Sequence, residues 1–147
     1  MKRGFASIEF IDLFMKSTCA ADLDMEFNRL QWLGEEYIME ELIDEVGDKL
    51  VPGRQYSEDA MFWAGYIYRY WHFLTGESSK EISKQASGEK MIRVYPAYHT
   101  FANMDLAVEL LKEDAAARNK LVIKKKISHE KGEMALAPSA AKTVKKR

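Results

Sequence analysis

The sequence predicts an all-α fold: a compact bundle of about five short helices around a central aromatic helix, with a basic C-terminal tail. Three observations predict it. Residues 60–74, AMFWAGYIYRYWHFL, pack seven of the 17 aromatic side chains into fifteen positions, so a helix there is apolar on nearly every side and needs neighbours. Serines and glycines fall where helices start and stop. No stretch alternates apolar and polar residues as a half-buried strand does.

In chain order, the first helix is expected over residues 7–16, with Ile8, Ile11 and Met15 on one stripe. Its surroundings imitate a secretory leader, but Glu9 and Asp12 interrupt the apolar stretch, which fits an amphipathic helix better. The second helix begins near Met25 or Asn28 and runs through WLGEEYIMEELIDEVG, with Ile38, Leu42 and Val46 and the offset Met39, Ile43 and Leu50 as its apolar face. Gly47 suits its end, and VPGRQ at 51–55 reads as a turn. The aromatic helix starts after Ser57, an N-cap followed by Glu58 and Asp59, and ends at Thr75 and Gly76. Ser78 and Glu81 have capping-box spacing, which predicts a short fourth helix to Ala86. Gly88 breaks the pattern. MIRVYPAYHTF then reads as a turn or extended connection, since Pro96 disfavours a helical Tyr95. Asn103 caps the fifth helix, MDLAVELLKED, and residues past about Ser128 are expected to be disordered for want of apolar side chains to bury.

Domain organisation follows: residues 1–24 as an N-terminal amphipathic appendage, 25–113 as the helical domain, and 114–147 as a partly disordered basic tail. MEFNRLQWLGEEY reads as an independent helix opening, which marks Met25 as a second translational start. The single cysteine, Cys19, leaves no intrachain disulfide or multi-cysteine metal site, which suits a reducing compartment. A cytoplasmic protein is expected, with no membrane span, no metal and no cofactor. The net charge of −1 hides an asymmetry: residues 1–113 carry 12 basic and 20 acidic side chains, net −8, and residues 114–147 carry ten basic and three acidic, net +7. An acidic body beside a basic tail implies self-neutralisation or separate electrostatic tasks.

Four groups of residues are candidates for function, each with a plain structural alternative. Glu35, Glu36, Glu40, Glu41, Asp44 and Glu45 form a run without a lysine or arginine. Like charges at i,i+4 repel by roughly 0.2–0.5 kcal/mol per pair, so a basic protein surface would relieve them; a solubilising face is the alternative. With Trp63 and Tyr70 of the aromatic helix as a hot spot, Glu36, Glu40, Glu41 and Asp44 make the expected partner-binding set. Arg69 and His72 share a helix face and, with Tyr98 and His99, could hold a phosphate or carboxylate; the alternative is a polar strip and a histidine locking a connection through the backbone. Lys124, Lys125 and Lys126, with KKR at the end of the chain, suggest phosphate contacts to nucleic acid, or only a solubilising tail. No pattern of a phosphate loop, a nucleophile elbow or a metal-binding helix appears, and no catalytic residue is assigned.

TGESSKEI at 75–82 followed by YPAYHT at 95–100 resembles small uncharacterised bacterial helical proteins. In these a serine-capped short helix precedes a Tyr-x-x-Tyr or Tyr-x-x-Leu segment ending in His-Thr. The resemblance covers about a third of the chain. It implies an accessory or antitoxin-like protein encoded beside ADP-ribosyltransferase-like proteins, and it carries over no catalytic residues. The expected function is therefore a non-enzymatic protein-interaction module, antitoxin-like or regulatory, whose partner is a protein such as a neighbour-encoded toxin. The alternative is a nucleic-acid-binding regulator that uses the basic tail.

Overall fold

The computed structural model describes residues 4–26 and 32–144, apart from the side chains of 133–144. Among these residues it contains seven α-helices and no strand: α1 (Ser7–Met15), α2 (Thr18–Asp24), α3 (Glu35–Val46), α4 (Glu58–Thr75), α5 (Ser79–Gln85), α6 (Gly88–Tyr98) and α7 (Met104–Val144). A 3-10 turn, Gly47–Lys49, follows α3. The all-α prediction holds. Residues Met1–Lys112 form one compact unit and Glu113–Arg147 a second.

Serines set the starts of four helices. The hydroxyls of Ser17, Ser57, Ser78 and Ser87 accept from the backbone N–H three residues on, in Ala20, Ala60, Glu81 and Lys90, and so satisfy N–H groups that a helix start leaves without partners. Ser78 and Glu81 complete the capping box. At the other end of α4, Gly76 takes φ 78° and returns its N–H to the His72 carbonyl at 2.8 Å. That left-handed C-cap strains any residue with a Cβ.

Carboxylates from distant positions add a second cap to three of these helix starts. Asp12 accepts the Gly88 N–H at 2.8 Å, Asp24 accepts the Ser79 N–H at 2.7 Å, and Glu45 accepts the Thr18 and Cys19 N–H groups at 2.7 and 3.1 Å. Each sets a negative charge against the positive end of a helix dipole. These bonds join α1 to α6, α2 to α5 and α3 to α2.

Two apolar clusters fill the first unit. In one, Ala64, Ile67, Tyr68 and Trp71 of α4 meet Ile11 and Met15 of α1, Ile82 of α5, Met91 of α6 and Ala107, Val108 and Leu111 of α7. In the other, Cys19, Leu42, Val46 and Leu50 gather Phe10, Leu13, Ile38 and Met39. Phe14 packs against both. Tyr68 buries its hydroxyl by donating to the Ala86 carbonyl at 2.7 Å, and burial pushes that phenol well above its ordinary pKa.

Three expectations are corrected. Residues 4–24 are no appendage: Ile11, Met15, Cys19 and Ala20 are buried, and Asp12 and Asp24 cap two later helices. The stripe that made α1 look independent is its inward face. The stretch expected to be a connection is α6, with Pro96 inside its last turn. Met91, Val94, Tyr95 and Tyr98 recur at i, i+3, i+4 and i+7, and burying Met91 with Val94 and Tyr98 packed against the core outweighs the pre-proline penalty. Helix α7 is described from Met104 to Val144. The helix expected near Met25 or Asn28 starts at Glu35; Asn28 lies outside the described residues, as does KKR at the C-terminus.

Gly88 sits where α1 and α6 touch. A Cβ there would lie 2.9 Å from the Ile8 carbonyl oxygen and 3.0 Å from the Ile11 Cβ. Gly88→Ala is therefore expected to force the helices apart and lose about 1–3 kcal/mol, against the gain of a few tenths to 1 kcal/mol that alanine gives an unconstrained helix. Urea denaturation checks the sign.

Candidate functional site: an apolar cleft beside an acidic helix

An apolar cleft of about 760 Å³ opens where the two clusters meet. Its floor comes from Phe10 and Phe14 of α1, one wall from Ile38 and Met39 of α3, and the other from Phe62 and Phe73 of α4. The floor rings stack 6.3 Å apart at 12°. The α4 wall explains why that helix is so aromatic. Ala60, Ala64, Ile67, Tyr68 and Trp71 turn inward, while Phe62, Tyr66, Tyr70 and Phe73 recur at helical spacing on the cleft side. Phe62 and Phe73 are 73% and 74% exposed and Tyr66 is 47% exposed, so the described residues leave this stripe uncovered. Apolar surface of that kind on a folded protein marks a binding site more often than it marks a defect.

The polar groups bordering the cleft are already committed. Arg69 Nη1 donates to Asp24 Oδ1 at 2.7 Å, its Nη2 donates to the Leu23 carbonyl at 3.0 Å, and its guanidinium lies 5.1 Å over the Phe73 ring. The Ser79 hydroxyl donates to the same Asp24 carboxylate at 2.8 Å. Tyr70 donates to Asp105, which holds the phenol proton and raises its pKa. Glu35 stands at the rim, and Glu36, Glu40, Glu41 and Asp44 lie exposed along the outer side of α3. Among the described residues no ion pair engages Glu40, Glu41 or Asp44. Glu45, the sixth member of the run, is withdrawn from that face by its bonds to α2.

The proposed polar ligand cluster separates into two places. Arg69 and His72 meet at Asp24, where His72 Nδ1 lies 3.6 Å from the carboxylate and donates to the Glu77 carbonyl at 2.6 Å. His99 instead donates from Nδ1 to the Tyr95 carbonyl at 2.6 Å and stacks on the Tyr95 ring at 4.4 Å. Tyr98 stacks on Phe101. Tyr98 and His99 line a smaller hollow of about 250 Å³ that also includes Trp63, whose ring meets Tyr95 edge-on at 5.7 Å. Of the two aromatic residues expected to bind a partner, Tyr70 is in the cleft and Trp63 is not. Lys124, Lys125 and Lys126 are exposed on α7 at 100° intervals, so they point around the helix and present no common face.

Glu77 holds a second polar junction. Its carboxylate accepts from Trp71 Nε1 at 2.9 Å, Lys112 Nζ at 2.6 Å and Gln85 Nε2. Burial alone would raise its pKa, but hydrogen bonds with Lys112, Trp71, Gln85 and Thr75 reverse the effect and pull it down to about 2. Its stabilising contribution is therefore complete above pH 4.5, the carboxyl's unperturbed value, and is lost as pH falls from 4.5 toward 2. Its side chain is 24% exposed, and partial screening sets the expected loss at about 1–2 kcal/mol. Urea midpoints measured between these pH values should fall in the native chain and fall less in Glu77→Gln.

Cys19 is buried, and burial foremost, with Glu45, Asp22 and Glu41 nearby, pushes its thiol up to about 11, which leaves little thiolate to react. Among the described residues no three metal-binding side chains gather, and no helix is long and apolar enough to cross a membrane. Comparison with protein-family models, curated proteins and solved structures yields no match. The two segments behind the family resemblance have local structural roles: ESS and the following glutamate build the α5 capping box, and YPAYHT ends α6.

Proposed function

We propose that the protein is a non-enzymatic interaction module whose cleft receives a basic amphipathic helix from a protein partner. In this reading the helices gathered about α4 are a bundle that serves as scaffold, and Phe62, Tyr66 and Phe73 supply the hot spot. The observation that carries it is the uncovered aromatic wall facing Ile38 and Met39, on a helix whose other side is acidic. A small ligand fits the site less well. Small-molecule pockets orient their occupant with a few available polar groups, whereas Arg69, Tyr70 and Ser79 are bonded within the protein. A helix laid in a groove needs only apolar side chains at i, i+3, i+4 and i+7 and charges at the edge. An antitoxin-like or regulatory member of a bacterial toxin module is one such protein, and the segments at 75–82 and 95–100 are what favour that setting.

Titration with a leucine- and lysine-rich amphipathic peptide tests the reading. Micromolar binding is expected at low salt, weakening as salt rises because part of the attraction is screened. Changing Glu36, Glu40 and Glu41 to Gln and Asp44 to Asn together should weaken binding about tenfold, the effect of losing ~1.4 kcal/mol, and flatten the salt dependence. Equal binding by the native and neutralised chains, or none by the native chain, would count against the reading.

A further inference from the structure

The second compact unit carries the same chemistry the cleft is proposed to receive, and the following inference rests on that reading. On α7, Leu121, Val122, Ile123 and Ile127 are 52%, 59%, 58% and 46% exposed. Ile123 and Ile127 stand four residues apart on one helix face, among exposed Lys120, Lys124, Lys125 and Lys126. A helix in water draws most of its stability from burying such a face against something else. Four large apolar side chains left half in solvent, within a span of seven residues, point to an absent occupant. The charges agree: residues 114–147 are net +7 and residues 1–113 net −8.

We infer that two copies of this chain exchange their C-terminal helices, the stretch from Leu121 to Ile127 of each seating in the cleft of the other. Ile123 and Ile127 enter between the α3 and α4 walls, and Lys120 and Lys124, the two lysines on the same side of the helix, face the carboxylates of α3. Each chain brings one cleft and one basic helix, so reciprocal exchange closes on a two-fold axis and leaves neither surface unpaired. An external partner with a similar helix competes for the same cleft.

Sedimentation equilibrium of the full chain at low and high salt tests the exchange. A monomer–dimer equilibrium is expected in the micromolar range, shifted at least tenfold toward monomer by high salt. The double change Ile123→Asp and Ile127→Asp, on exposed positions of the second unit, should weaken dimerisation at least tenfold. Gly65→Trp should do the same from the other side, because Gly65 lines the cleft and a Cβ there meets nothing within 4 Å. Circular dichroism melts confirm that both variants remain folded. A photoreactive side chain at Phe62, in a mixture of isotopically heavy and light chains, should join to the tail of the other copy. A chain that stays monomeric at every concentration, a dimer unmoved by either variant, or cross-links confined to one chain would overturn the exchange. A monomeric chain that still binds the basic peptide defeats the exchange and leaves the proposed function standing; absence of both dimer and peptide binding defeats the two together.

Discussion

Deleting residues 1–24 is expected to abolish cooperative folding of the remaining chain. The segment supplies Ile11 and Met15 to the cluster around Trp71, and Cys19 and Ala20 to the buried face of α2. Truncating a buried Ile or Met to alanine alone costs about 2–5 kcal/mol. Loss of the whole segment also strips Asp12 and Asp24 from the N-terminal N–H groups of α6 and α5, at about 1 kcal/mol per cap. Arg69 would lose its carboxylate in the same step. These terms alone, about 6–12 kcal/mol, are as large as a typical domain stability of about 5–15 kcal/mol. A circular dichroism melt of residues 25–147 should show no sharp transition. A melting temperature within a few degrees of the full chain would show that α1 and α2 are dispensable, as an N-terminal appendage would be.

Trp71→Ala carries the second large effect. The indole is completely buried, its N–H donates to Glu77, and Lys112 Nζ lies 5.7 Å over its ring. Removing it opens a cavity at a cost of about 3–5 kcal/mol and leaves Glu77 one donor short, worth about 1–3 kcal/mol more. At roughly 4–8 °C per kcal/mol for a domain of this size, the melting temperature should fall by more than 15 °C. Phe73→Ala, two residues further on, is the matched control. Its ring is 74% exposed, and the change should cost no more than about 1 kcal/mol, the worth of its contact with the Arg69 guanidinium. Equal losses at the two positions would mean that α4 buries a different face from the one described.

Local signals in the sequence were enough for the helical class and for most helix starts. Ser57, Ser78 and Gly76 act within three or four residues of their partners, and such signals can be read in one pass along the chain. Helix α6 is legible too, in the spacing of Met91, Val94, Tyr95 and Tyr98, but the steric restriction on the residue before Pro96 points the other way, and only burial of the stripe decides between them. Long-range carboxylate caps were not legible. Nothing near Asp24 in the chain announces that Ser79 and Arg69 converge on it from 55 and 45 positions away. Glu45 looked like its neighbours in the acidic run, and only the fold turns it toward α2.

Half of the cleft was visible in advance. Phe62, Tyr66, Tyr70 and Phe73 form a stripe opposite Ala60, Ala64, Ile67 and Trp71, and small residues on one side of an aromatic helix mark the side packed closely. The density of rings makes the segment apolar on nearly every side, which masks the difference between its two faces. The opposing wall, Ile38 and Met39, and the floor, Phe10 and Phe14, belong to helices whose pairing with α4 depends on tertiary packing. Arg69, His72, Tyr98 and His99 can form one cluster only if residues 91–101 are a loop free to fold back, and α6 holds Tyr98 and His99 at its own end instead.

Gly65→Trp, assayed for both stability and peptide binding, tests the central claim most directly. The position is exposed on α4, lines the cleft and has open space at its Cβ, so a large ring fills the groove without disturbing either core cluster. Replacing a helix-interior glycine should leave stability unchanged or raise it by a few tenths of a kcal/mol. A chain that melts at or above the native temperature and binds the basic amphipathic peptide at least tenfold more weakly is the predicted result. Undiminished binding by an equally stable variant would contradict the claim that this cleft is where the protein meets its partner.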